Sequence, residues 1–108
     1  MTNQQFLLLI SIECISTDDL TGSDELIGRF ANFSAFDFTI GSFKANDKVN
    51  LDRQVALPVD FSTLQIIERD LTGDDLIDTI DLRQNMNAQR VVTLSNGAAN
   101  YVLRFIVT

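Results

Sequence analysis

The residues of this chain best equipped for chemistry are carboxylates, and they come in a repeated phrase. Asp19-Leu20-Thr21-Gly22-Ser23-Asp24-Glu25-Leu26-Ile27-Gly28 returns as Asp70-Leu71-Thr72-Gly73-Asp74-Asp75-Leu76-Ile77-Asp78, one residue shorter. Of 15 acids, twelve are Asp and three Glu, and nine fall within residues 18–25 and 68–78. Short Asp arms on a Gly-containing turn suit a hard cation. Calcium takes about six to eight oxygens from carboxylates, backbone carbonyls and water. Two such segments at one end of a domain repel each other when empty, and a bound cation relieves the repulsion. Calcium is the ion this pattern predicts.

Other chemistries find fewer of the groups they need. Zinc has no His and a single Cys to bind. Magnesium prefers a few carboxylates with water or phosphate to a crowded cage. The spaced Asp pattern of an EF-hand and the tandem Gly-rich repeats of a calcium-loaded β-roll are both absent from the sequence. Paired carboxylates serve glycoside hydrolysis only when one acid is desolvated beside another that stays ionised. Here they sit in Asp-rich segments without aromatic neighbours. With no His, no Gly-rich phosphate loop and no Gly-x-Ser-x-Gly elbow, the sequence predicts a protein that is not an enzyme. The plain alternative for the acids is that they are solvated turns that keep a Phe-rich interior soluble. One copy of the phrase favours that alternative; a second copy favours a cation site.

The elements that position these segments read as strands. Apolar residues alternate or form short runs and never hold a helical period for long. Strands are predicted at about 5–16, 27–40, 48–57, 62–69, 77–83, 88–95 and 99–108. In the second, Phe30, Phe36, Phe38 and Ile40 share a face; in the last, Tyr101, Leu103, Phe105 and Val107 do, with Arg104 opposite. Asn96-Gly97 signals a hairpin, and Pro58 a turn or edge. Acids at a first helical turn also allow a short helix at 23–27 or 74–78. Seven or eight short strands at regular spacing predict an all-β antiparallel sandwich.

At 108 residues, 45% apolar with one Pro, the chain is expected to form a single domain over 1–108. A net charge of −7 with eight scattered basic residues argues against nucleic acid. Cys14 is alone, so no intrachain disulfide forms, and it reads as a small buried hydrophobe. The apolar run at 6–12 is too short to span a membrane and lacks the basic flank of a signal peptide. Together with the free Cys14, this favours the cytoplasm over secretion by a non-classical route.

The run Leu7-Leu8-Leu9-Ile10-Ser11-Ile12-Glu13-Cys14-Ile15, followed by Asp19-Leu20-Thr21-Gly22-Ser23-Asp24-Glu25, resembles the first strand and first calcium loop of a C2 domain. Leu64-Gln65-Ile66-Ile67-Glu68-Arg69-Asp70, followed by Asp74-Asp75-Leu76-Ile77, resembles its third loop. The order, the separation of about fifty residues and a closing apolar strand also fit. The small C2-like sandwiches of bacterial proteins are the most similar. This resemblance implies a C2-like fold and calcium ligands Asp19, Asp24, Asp70 and Asp75. Glu68 stands in the first place of an Asp-x-Asp pair, and Asp18 and Asp74 are extra oxygens. The chain departs from the family in a shorter third loop and in Asp78 where Gly is expected. Leu20 and Leu71 are the only apolar candidates for loop tips, and Lys44 and Lys48 are too sparse for a basic lipid-binding strand.

The function expected is a calcium-binding module whose acidic end meets an anionic lipid head group, a glycan or another protein. A second expectation, from a different class, is a structural, self-assembling subunit forming a homo-oligomer. It rests on the apolar run at 102–107, read as an edge with few lysines to protect it.

Overall fold

The computed structural model describes residues 4–17, 23–31, 33–70 and 73–108, and of Ser34 and Asp70 the backbone only. The described residues form eight strands and no helix: β1 (Phe6–Ser16), β2 (Asp24–Phe30), β3 (Phe33–Phe43), β4 (Lys48–Ala56), β5 (Thr63–Asp70), β6 (Gly73–Asp81), β7 (Arg90–Asn96) and β8 (Ala99–Val107). They build two four-stranded sheets, ordered β4-β1-β8-β7 and β3-β2-β5-β6. Every pairing is antiparallel. No helix among the described residues is long and apolar enough to cross a membrane.

Alternation explains the strands that carry the core. In β8, Tyr101, Leu103, Phe105 and Val107 are all buried, while the residues between them are half-exposed. From β1, Leu7, Leu9, Ile12 and Cys14 face the same interior, with a bulge between Leu9 and Ser11 resetting the phase. The opposite sheet contributes Leu26, Phe30, Ile40, Leu64, Ile66 and Ile80. Phe38 lies directly over Gly28, where any Cβ would collide with its ring, and it stacks at 5.6 Å from Phe30.

Several expectations need correction. The strand predicted over 27–40 is two strands that break after Phe30, so Phe36 does not share the buried face and is 55% exposed. Neither segment proposed as a short helix is helical: residues 24–27 belong to β2 and 74–78 to β6. Cross-strand hydrogen bonds outweigh the weak preference of acids for a helix start. The run at 102–107 is no edge, since β8 lies between β1 and β7. Pro58 falls in the connection after β4 and interrupts no ladder. The Asn96-Gly97 hairpin forms as expected: Asn96 pairs with Ala99, and Gly97 takes φ 60°, which suits the first position of a II′ turn.

The true outer strands are bridged between sheets. Arg53 of β4 donates to the Thr39 carbonyl of β3 and lies 5.5 Å from the Phe38 ring. On the other side, Asn96 Nδ2 of β7 donates to the Leu76 carbonyl of β6 at 2.7 Å, and Ser95 N donates to Asp78 Oδ2 at 3.4 Å.

Candidate functional site at the acidic end

Register brings both acidic segments to one end of the sandwich. β2 and β5 are antiparallel with Glu25 opposite Arg69, so Asp24 and Asp70 lie one step further along on adjacent strands. Asp70 pairs with Gly73, whose φ of 143° only glycine adopts readily, closing β5 onto β6. Glu68 stands opposite Asp75, and Arg69 opposite Asp74. The 44–47 connection reaches the same end, because Asp24 pairs with Phe43 and Glu13 with Lys48.

The described acids of the two segments lie in strands, not in the calcium loops that the C2 resemblance implies. Asp24 and Glu25 lie within β2, Glu68 and Asp70 within β5, and Asp74, Asp75 and Asp78 within β6. A tight β5–β6 hairpin, whose ladder supplies their backbone partners, draws the second segment into the sheet. Asp18 and Asp19, like the tip residues Leu20 and Leu71, lie outside the described residues.

Each described candidate has its own environment. Asp74 and Asp75 are exposed. Glu68 is 7% exposed on the face of β5 that carries Leu64 and Ile66. Asp24 is the exceptional one, with no exposed surface at all. It occupies the inward phase of β2 shared by Leu26 and Phe30. Its Oδ2 accepts a hydrogen bond from the Tyr101 hydroxyl of β8, across the gap between sheets. Its Oδ1 is buried with no hydrogen-bond partner among the described residues. Buried carboxylate oxygens are nearly always satisfied, because stripping water from a charge is costly.

Two neighbours of Asp24 were not among the sequence candidates. Tyr101 is fully buried, its ring edge-on to Phe43 at 6.3 Å. Burial, then the hydrogen bond and charge of Asp24, push its hydroxyl far above the usual tyrosine range. Cys14 is buried as expected, and its thiol is raised first by burial, with the charges of Asp24 and Asp47 adding and a Tyr101 hydrogen bond opposing. Asp47 holds the adjacent turn, its Oδ2 accepting from Lys44 N at 2.8 Å. In the sequence Tyr101 reads only as one member of an apolar face. No local signal pairs it with an Asp 77 positions earlier.

A calcium shell needs about six to eight oxygens. Among the described residues, no three carboxylate or thiol side chains converge to hold a metal. The described part of the site thus offers one orphaned, buried oxygen and a rim of acids rather than a complete cage. The donor chemistry, all oxygen, suits a hard cation.

No protein-family model matches the chain, and neither does any curated protein sequence. Solved structures do resemble it. One described as the structure of a C2 domain aligns over 98% of this chain and 99% of its own, with a TM-score of 0.55 and 9% identity. Another is a human GIVD cytosolic phospholipase A2, solved with methyl gamma-linolenyl fluorophosphonate inhibitor and terbium chloride. It aligns over 96% of this chain with a TM-score of 0.52 and 14% identity, and the match spans 17% of the phospholipase chain. At these identities the likeness is one of architecture, and it agrees with the strand pairing above. The fold of this chain is a C2-domain-like antiparallel β-sandwich.

Proposed function

We propose that this chain is a non-catalytic calcium-binding module whose acidic end engages a partner when the ion is bound. The observation that carries this reading is Asp24, a fully buried carboxylate with one oxygen unpartnered at the end where the two acidic segments meet. A calcium ion would satisfy that oxygen. The rest of its shell would come from Asp18, Asp19, Asp70 and Asp75, with Glu68 and Asp74 in support and carbonyls of the same segments. The ion would reduce the repulsion among these acids and present residual positive charge to an anionic lipid head, a glycan or an acidic protein surface. The C2-like architecture supports the same reading, as does the lack of any His or nucleophilic motif in the sequence.

The test is thermal unfolding in EGTA and in about 1 mM calcium, with magnesium as control. A site filled to about a hundred times its dissociation constant adds roughly 2.7 kcal/mol, a rise of roughly 10–20 °C for a domain of this size. A calcium-selective rise, lost in Asp24→Asn or Asp75→Asn, is the expected outcome. No rise would overturn the calcium reading and leave the acidic segments as strand residues that hold no ion. If calcium binds, sedimentation with anionic vesicles, with and without the ion, separates a lipid partner from the other classes.

A further inference from the structure

We propose that Tyr101 is a positioning residue for the cation site, fixing Asp24 so that its Oδ1 remains the oxygen available to the ion. The inference rests on the calcium reading above and assigns a role to a residue outside the acidic segments. Tyr101 has a single proton to donate, and it goes to Asp24 Oδ2. That bond occupies one carboxylate oxygen and leaves the other, Oδ1, buried and unpartnered. Tyr101 is well placed to hold a fixed position. Its strand lies inside its sheet between β1 and β7, and the side chain is fully buried. Asp24, in contrast, is the first residue of its strand. A short carboxylate at a strand start, held from the opposite sheet, loses little freedom when an ion arrives, which is the energetic value of preorganisation.

The same geometry supplies an optical probe. Tyr101 is the only Tyr and the chain has no Trp, so all its aromatic emission other than that of Phe comes from beside Asp24. A terbium ion bound at Asp24 would be excited through Tyr101.

The experiment is calorimetric titration of calcium into chelator-stripped protein, with folding checked by circular dichroism. The variants are Tyr101→Phe, Asp24→Asn and Phe43→Leu. Tyr101→Phe keeps the ring and removes only the donor; it is expected to bind calcium about tenfold more weakly, the scale of one hydrogen bond to a charged group. Asp24→Asn is expected to lose binding. Phe43→Leu disturbs the packing of the ring without touching the hydroxyl, and is expected to lower the melting temperature while leaving affinity unchanged. Equal weakening in Tyr101→Phe and Phe43→Leu would reduce Tyr101 to a packing role and overturn the proposal. So would wild-type affinity, or higher, in Tyr101→Phe. Should Tyr101→Phe fail to fold, terbium and the wild-type protein decide. Emission sensitised by tyrosine and displaced by calcium supports the proposal; calcium binding without sensitised emission overturns it. Failure of the wild-type protein to bind calcium at all would instead remove the function on which the inference rests.

Discussion

Tyr101, Cys14 and Asp24 sit together without solvent, and the first two carry protons that folding retains. Burial chiefly raises both the Tyr101 hydroxyl and the Cys14 thiol. Each is neutral when protonated, so the unfolded chain releases these protons at a lower pH than the folded one. Their stabilisation is therefore complete below the unfolded values, about 8.5 for the thiol and about 10 for tyrosine, and declines as pH rises beyond them. For Tyr101, whose shift is large, the decline approaches about 1.4 kcal/mol per pH unit. Urea midpoints are expected to fall steeply between about pH 9 and 11, and less steeply in Tyr101→Phe. Tyrosinate absorbance should appear together with unfolding. A folded protein that ionises its tyrosine near pH 10 would contradict the buried geometry.

At the scale of elements, the β2–β3 pair depends on a missing side chain. The Phe38 ring occupies the space where a Cβ at residue 28 would stand, and Arg53 covers that ring from β4. Gly28→Ala is expected to destabilise the fold by about 1–3 kcal/mol, the range for overpacking a filled site. Chemical denaturation measures it, and adding Phe38→Leu should recover part of the loss, because the two residues share one space. The regular strands were legible because burial on one face enforces a period of two, as in β8. The β2–β3 break was not, because apolar residues continue through Ala31 and the turn leaves no Gly or Pro to mark it. The start of β6 was hidden for the opposite reason. Gly73-Asp74-Asp75 has loop composition, yet pairing with β5 supplies backbone partners that composition does not reveal.

For the whole molecule, the net charge of −7 is gathered disproportionately at one end. Exposed ion pairs contribute little, and the Arg29–Asp37 pair at 2.7 Å and the Lys48–Glu13 pair at 3.7 Å are both partly solvated. Repulsion among the acids should then dominate the salt response. Without calcium, the melting temperature is expected to rise as ionic strength goes from about 0.01 M to about 0.15 M, where the Debye length falls from about 30 Å to about 8 Å. With calcium bound, that rise should shrink. A melting temperature that falls with salt in the calcium-free protein would show that favourable pairs outweigh the acidic end. Self-assembly through a free last strand has lost its premise, since β8 is interior and side chains bridge the outer strands of the two sheets.

The sequence by itself determined the all-β sandwich class, the resemblance to a C2 domain, the buried face of β8 and the two acidic segments as the place to look for a cation. Alternation and composition are local properties, and they survive without knowledge of which strands meet. Only the tertiary structure decided that the acids enter strands, that Asp24 turns into the core, and that its partner is a tyrosine from the last strand of the opposite sheet. Those depend on register and on packing between sheets. Both couple residues far apart in sequence, and neither leaves a local pattern to read.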